Sequence, residues 1–451
     1  MPISFTIFVA KTLSVLSRGL GRGSGSALPG LIAERLDPGI GRKLARRLPH
    51  GSIIVTGTNG KTTTSRLLAG IMTDSGDRLV TNRAGSNLSR GVVSALIDHA
   101  GLSGRFKETA GLFEVDEAAM PAVARMLQPR AIIVLNLFRD QLDRYGELDT
   151  TANLVGQGIE ATKAEVYLNA DDPLVATLAK YAAGRVKFFG IDKVPIKKLE
   201  HDHSADSAHC PVDGRALKFS QNFFGHIGHY KCPNGDFARP RPDVSANHLK
   251  LGDSTTFRLE NGESEAIKLN LPGIYNVYNA LAAGALAVDH LGLEPASVAR
   301  SIENVKAAFG RVEQLEWMGK KLNLLLVKNP TGFNQVIQTF MLKKKQQKVL
   351  FIINDNFADG RDVSWLWDVA FEELVGMKHH ITTSGIRSAD MALRLKYAEV
   401  KAELGDVGIR RALKHFCAQL DENEVGLVVP TYTAMLETRQ IMAGSKLEEP
   451  V

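Results

Sequence analysis

Val55-Thr-Gly-Thr-Asn-Gly-Lys-Thr-Thr63 is the stretch on which the reading of this 451-residue chain turns. The β-branched run Ile53–Thr56 predicts a strand, the glycines a turn, and Thr62–Met72 a helix. A strand that enters a helix through a Gly-rich turn aims backbone N–H groups at an anion. Gly57 and Gly60 let the backbone approach a nucleotide, Lys61 is placed to reach the β/γ-phosphates, and the Thr62 hydroxyl to ligate Mg²⁺. Thr58, Asn59 and Thr63 complete the expected ATP-binding loop. The spacing is G-x-x-G-K-T, with Val55 where the general phosphate-loop pattern has its first Gly. A Gly-rich turn can merely end a strand; the strand before it and the helix after it favour ATP.

Working outward, Ala131–Leu135 and Glu165–Leu168 are further short strands flanked by helical patterns, a rhythm that predicts βαβ units and a parallel sheet. Helical periodicity returns at Asn276–His290 and Pro295–Asn304. A second strand–helix alternation runs through Lys321–Val327, Val349–Ile353, His380–Thr383 and Val425–Val429. The expected organisation is an N-terminal helical segment (1–50) and a central ATP-binding α/β domain (51–314). A ribbon-like insertion rich in His, Gly, Pro and Cys falls at about 201–243, and a Rossmann-like α/β domain follows (315–451).

The bulk properties bound the function. A hydrophobic fraction of 44% with 23% charged residues is that of a folded chain, and the length calls for two or three domains. A net charge of +6 suits an anionic ligand but is as common on proteins that bind none, which is the favoured reading, and the basic residues read as scattered rather than gathered into a stripe, which argues against nucleic acid. Three cysteines make no disulfide framework for a chain this long, in keeping with a reducing cytoplasm. Lys11 and Arg18 interrupt the apolar first twenty residues, which lack the form of a signal peptide or a membrane span. Phe5, Phe8, Val9, Leu13 and Leu16 share one helical face, expected to pack on the domain, with a membrane surface as the alternative.

Five motifs together resemble the Mur ligase family, whose members share a three-domain plan with folylpolyglutamate synthases. The phosphate loop resembles that family's ATP loop. Glu114, in Phe113-Glu-Val-Asp-Glu117, lies where the family keeps a Mg²⁺-binding glutamate. Asn136-Leu-Phe-Arg-Asp-Gln-Leu-Asp143 resembles its Asn-x-x-x-Asp-His-Leu-Asp segment, with Gln141 in place of a metal-binding histidine, so a second Mg²⁺ is not expected. Leu271-Pro-Gly-Ile-Tyr-Asn-Val-Tyr-Asn-Ala280 resembles its Gly-x-x-Asn-x-x-Asn-Ala helix start, which puts Asn276 among the ATP contacts. Gly310-Arg-Val-Glu313 resembles the Gly-Arg-x-Glu closing the central domain, where the arginine, here Arg311, contacts phosphate.

The C-terminal part departs from the amino-acid-adding members. Leu326-Val-Lys-Asn-Pro-Thr-Gly-Phe-Asn334 stands where they have an Asp-Tyr-Ala-His-x-Pro-like segment. With Asn354–Asp368 and Pro430-Thr-Tyr-Thr-Ala-Met435 it resembles the MurT branch of the family. That resemblance implies ATP-dependent amidation of the α-carboxylate of D-glutamate in the lipid II stem peptide, through an acyl phosphate. A GatD-type glutaminase subunit would supply the ammonia, in the cytoplasm at the inner face of the membrane. It also implies that an aspartate of this domain completes the partner's Cys-His pair; Asp362 ranks first, then Asp359, then Asp355. Each can equally be read as a helix cap or loop brace.

Within the insertion, relatives of this branch carry Cys-Pro-x-Cys twice, a four-Cys zinc ribbon. Here Cys210 and Cys232 remain, and Asp213 and Gly235 are read into the second and fourth positions. Two thiolates without matching partners make a poor zinc site, so the reading is against zinc. The alternatives in function are a Mur- or folylpolyglutamate-type ligase that adds an amino acid, and a non-catalytic ATP-binding scaffold for the glutaminase.

Overall fold

A computed structural model of the chain describes residues 2–19, 28–82, 86–140, 148–192, 206–252, 255–260, 264–305 and 311–443. Its helices are α1 (Ile3–Gly19), α2 (Leu28–Leu36), α3 (Ile40–Ala45), α4 (Lys61–Asp74), α5 (Ser89–His99), α6 (Met120–Leu127), α7 (Leu148–Glu160) and α8 (Pro173–Thr177). They continue as α9 (Ile274–Asp289), α10 (Pro295–Asn304), α11 (Pro330–Val336), α12 (Ser388–Tyr397), α13 (Ile409–Gln419) and α14 (Tyr432–Ala443).

The strand leading into the phosphate loop, β1 (Ser52–Thr56), is buried along its whole length, as a strand covered on both faces must be. It sits between β3 (Ala110–Glu114) and β4 (Ala131–Val134), parallel to both. Alternation sends Ile53 and Val55 into a core shared with α4, α9 and α10, and Ile54 into a core shared with α2, α3, α5, α6 and α7. Beyond β3 lies β2 (Leu79–Thr81); beyond β4 lie β5 (Glu165–Asn169) and β6 (Val186–Ile191), all parallel.

Two features were not legible in the sequence. The sheet is extended by β9 (Val244–Lys250), β10 (Thr255–Glu260) and β11 (Ser264–Leu269), with antiparallel pairing from β9 outward, to nine strands. The insertion, described from residue 206, folds as a hairpin of β7 (Lys218–Phe224) and β8 (Ile227–Lys231). Phe223, Phe224 and Ile227 join the main core, while Cys210, Leu217, Tyr230 and Cys232 form a small cluster of their own with Ala176.

The second sheet runs β12 (Arg311–Trp317), β13 (Lys320–Leu325), β17 (Val425–Pro430), β14 (Lys348–Ile352), β15 (His380–Ser384), β16 (Glu403–Leu404), parallel except for the β12–β13 hairpin. The sequence reading placed residues 311–314 in the central domain. In the structure they begin β12 and pair with β13. α13 and α14 cover one face of this sheet, and α11, α12 and the segment around Leu366–Leu374 the other.

α1 packs through Thr6, Ile7, Ala10 and Ser14, all buried. This reverses the orientation expected from periodicity: Phe5, Phe8, Leu13 and Leu16 are exposed and Val9 half-buried. Spacing tells which residues share a face, not which face the domain takes. Among the described residues no helix is long and apolar enough to cross a membrane.

Candidate active site

The order of the first sheet reverses at β1, and open α/β sheets bind ligands outside the strand ends at such a switch point. The phosphate loop leaves β1 there. Gly57 and Gly60 have φ of 126° and 95°, a region that penalises any Cβ. At Gly60 the added carbon would also lie 2.1 Å from Asn279 Oδ1. The loop is braced from the segment that follows β4: the Asn59 N–H donates to Asn136 Oδ1 (2.9 Å), Asn136 Nδ2 donates to the Asn59 carbonyl (2.9 Å), and the Thr58 hydroxyl accepts from the Phe138 N–H (3.0 Å).

Lys61 opens α4 and is buried. Its ammonium donates to the Gly57 carbonyl (2.5 Å) and to Glu117 Oε2 (3.1 Å). Burial draws the lysine pKa down, but Glu117, Asp116 and Asp140 outweigh it and hold the pKa above the usual lysine value. Glu117 answers in kind: burial pushes its pKa up, the charges of Lys61 and Lys328 more than offset that, and it stays below the ordinary glutamate range. Beside this pair the Thr62 hydroxyl donates to Glu114 Oε2 (2.9 Å), and Glu114 is fixed by backbone bonds to Asn82 (2.9 Å each). One hydroxyl and one carboxylate at a phosphate loop are hard oxygen donors that fit Mg²⁺.

The far wall of the cleft comes from the second sheet. Leu326 and Lys328 follow β13, Phe357 and Ala358 follow β14, and Tyr432 follows β17; with the loop residues they line a space of about 290 Å³. Lys328 pairs across the cleft with Asp140, whose carboxyl is nonetheless pushed up by burial. Its position is set by its neighbours: Asn329 caps α11 by accepting from the Gly332 N–H (2.8 Å), and its Nδ2 donates to Asn59 Oδ1 (3.1 Å). A smaller, more apolar pocket adjoins this one, lined by Asn59, Asn279, Tyr275, Thr331 and Gln335 among others.

Comparison with known proteins agrees with this geometry. The Mur ligase middle-domain model matches residues 55–234, and the MurT ligase C-terminal model matches residues 326–435. The chain is 32% identical over 430 residues to the lipid II isoglutaminyl synthase (glutamine-hydrolyzing) subunit MurT of Staphylococcus aureus (strain COL), covering 95% of each. To the protein of the same name from Streptococcus pneumoniae (strain ATCC BAA-255 / R6) it is 33% identical over 442 residues, covering 96% of this chain and 95% of that one. The chain belongs to the MurT family of Mur ligases.

The fold likeness extends further. The pseudomurein peptide ligase type C from Methanothermus fervidus superposes with a TM-score of 0.68 at 23% identity, over 89% of this chain and 80% of that one. The MurF ligase from Thermotoga maritima in complex with ADP gives 0.65 at 14% identity, over 92% and 84%.

In this MurT-family chain Thr58, Lys61, Thr62 and Glu114 line the cleft and Asn59 and Gly60 the adjoining pocket, while the Gly57 carbonyl accepts from Lys61 and Thr63 is buried in the first turn of α4. Asn276 stands one step back. Its side chain bonds to the Pro272 carbonyl (2.8 Å) and to Asn279 (3.2 Å), and Asn279 is the one that lines the pocket and touches the loop. The Arg311 side chain, Gly310 and Gln141 lie outside the described residues. Glu117, Asp140, Asn279 and Lys328 were missed as site residues. All four stand inside motifs quoted from the sequence, but single motifs do not show that two cations and four carboxylates converge.

The three ranked aspartates separate. Asp355 is buried and paired with Arg387 (2.8 Å). Asp359 is buried between the Thr433 N–H (2.7 Å), the Thr433 hydroxyl and the Asn356 N–H (3.2 Å), with burial raising its pKa. Asp362 is exposed, accepts from the Ser364 N–H (2.8 Å), and edges a shallow cleft with Arg139, Lys328, Trp365 and Asp368.

In the insertion the structure corrects one reading. Cys210, Asp213, Cys232 and Asp236 bring their donor atoms within 4.8 Å of one another, so the fourth position belongs to Asp236 rather than Gly235. The two sulfurs do have carboxylate neighbours, and two cysteines with two carboxylates offer donor types that a divalent ion such as zinc accepts. Burial pushes the Cys232 thiol up to about 12, and it faces Asp213 at 3.4 Å as a hydrogen donor. This knot sits among apolar residues of the insertion together with Ala176 and Phe188, and shares none of the cleft's lining side chains.

Proposed function

We propose that this chain is the synthetase subunit of a lipid II isoglutaminyl synthase. It amidates the α-carboxylate of D-glutamate in the lipid II stem peptide at the inner face of the cell membrane, with ammonia from a GatD-type glutaminase subunit. The observation that carries the reading is the single cleft in which the phosphate loop, with Lys61 and the Thr62–Glu114 pair, faces Lys328 of a MurT-type C-terminal domain.

The chemistry follows from what a carboxylate lacks. It is a poor electrophile, so one of its oxygens attacks the γ-phosphorus of ATP, ADP departs, and an acyl phosphate with a good leaving group results. Ammonia then attacks the carbonyl carbon, phosphate leaves with the bonding pair, and the amide nitrogen loses a proton to solvent. Lys61 is held charged by its acidic neighbours, and a phosphate oxygen entering the cleft competes with Glu117 for that ammonium. Thr62 and Glu114 would hold Mg²⁺, which would supply charge neutralisation for the transferred phosphoryl group. The adjoining apolar pocket suits the nucleoside end of ATP. Free ammonia is mostly ammonium at neutral pH, which gives a coupled glutaminase its use.

The test is glutamine-dependent ATP hydrolysis with lipid II, run with and without the glutaminase subunit. Turnover that needs both lipid II and the partner supports the reading. ATP consumption driven by a free amino acid would place the chain with the adding ligases, and no consumption at all would leave a scaffold.

A further inference from the structure

Apart from Ile3 and Ile7, the large apolar residues of α1 are turned outward. At 100° per residue, Val15, Phe8, Phe5, Leu16, Val9 and Leu13 succeed one another over an arc of about 160°, with Thr12 the polar residue inside it. Phe8 is 55% exposed, Leu16 56% and Val15 65%. The side that packs on the domain is built instead of Thr6, Ile7, Ala10 and Ser14. A helix that only roofs a core shows the opposite arrangement, apolar stripe inward. Lys11 pins α1 in this orientation by donating to the Asp98 (3.0 Å) and Ala100 (2.7 Å) carbonyls at the end of α5.

Charge is concentrated at the same end of the chain. Residues 1–50 hold eight Lys and Arg against Glu34 and Asp37, a net +6. Removing those from the totals of 55 and 49 leaves 47 of each sign in the other 401 residues, so the whole net charge lies in this segment. The basic residues themselves remain spread along the chain, 47 of 55 lying beyond residue 50; it is the scarcity of acids in this segment that leaves it positive. Arg46 and Arg47 are exposed. Arg47 donates to the Ser103 carbonyl (2.7 Å), and both it and Ile3, at the start of α1, close on Gly104.

We propose that α1 is an interfacial anchor that lies flat on an anionic lipid bilayer, with Phe5, Phe8, Leu13, Val15 and Leu16 in the acyl boundary and Arg46 and Arg47 at the headgroups. At 17 residues with Lys11 inside, the helix lies on a bilayer rather than spanning it. A second copy is the poorer occupant, because it would bring two +6 segments face to face. The inference does not depend on the amidation reading, although a lipid-carried substrate would give the anchor a use.

The experiment is co-sedimentation of the full chain with vesicles of phosphatidylcholine alone or mixed with phosphatidylglycerol, both free of lipid II, so that failure says nothing about the reaction. Binding to the mixed vesicles is expected to be at least about tenfold tighter than to phosphatidylcholine and to weaken with salt. The double variant Phe8→Ser/Leu16→Ser is expected to lose about tenfold or more of that binding with nucleotide affinity unchanged. Should that variant fail to fold, Arg46→Glu/Arg47→Glu carries the same expectation. The proposal is overturned if the parent ignores mixed vesicles or if a folded variant binds them as the parent does. It is equally overturned if the parent is a dimer that Phe8→Ser/Leu16→Ser turns into a monomer.

Discussion

Lys61 is the residue on which the proposed chemistry depends, and its surroundings bear on why. A buried ammonium is costly unless carboxylates face it, and Glu117 at 3.1 Å is the nearest. Replacing it by alanine removes the cation that, on the proposed mechanism, meets the transferred phosphoryl group, and leaves the C-terminal domain untouched. Lys61→Ala is expected to lower lipid II amidation on the order of a hundred- to a thousandfold. A pull-down should recover the partner subunit as before. Amidation at the parent rate would remove the phosphate loop from the mechanism.

At the scale of the element, the segment from Asn354 to Asp368 shows how neighbouring residues of one type take different work. Asp355 and Asp359 are buried by Arg387 and by Thr433 at the start of α14, so they hold the segment's path. Asp362 keeps its carboxylate at the surface, as the proposed role of orienting a partner's histidine requires. Asp362→Asn is therefore expected to suppress glutamine hydrolysis in the two-subunit complex by about a hundredfold or more, as loss of a His-orienting carboxylate does. Synthesis from added ammonium salt should continue close to the parent rate. Equal loss with both nitrogen sources would assign Asp362 to the synthetase cleft or to the fold.

Across the whole molecule, the two sheets present their strand ends to one cleft, and Lys328 joins them through Asp140. The pair is only partly shielded (28% and 13% exposed), so Lys328→Met is expected to cost about 1–3 kcal/mol of stability at neutral pH, short of a fully buried pair. The sign of its pH dependence is fixed. Burial already raises the Asp140 pKa, and removing the opposing cation raises it further. A carboxyl whose folded pKa exceeds the unfolded value of about 3.9 contributes stability below that value and loses it as pH rises through the folded pKa. The gap in melting temperature between Lys328→Met and the parent should thus narrow from pH 7.5 to pH 5. A gap unchanged with pH would mean that Asp140 does not feel Lys328.

The sequence by itself determined what rests on local pattern. Ser52–Thr56, Lys61–Asp74 and Pro295–Asn304 form where β-branched runs, glycines and helical periodicity put them, and the phosphate loop is an affair of nine consecutive residues. Only the tertiary structure decided what depends on residues far apart. It set Asn279 rather than Asn276 against Gly60, carried Lys328 to Asp140 over 188 positions, and brought Asp236 to the two cysteines. It also turned the greasier side of α1 to the outside. Periodicity records which side chains lie together on a helix, but the direction they point is settled by the surface they meet, and that surface is assembled from the rest of the chain.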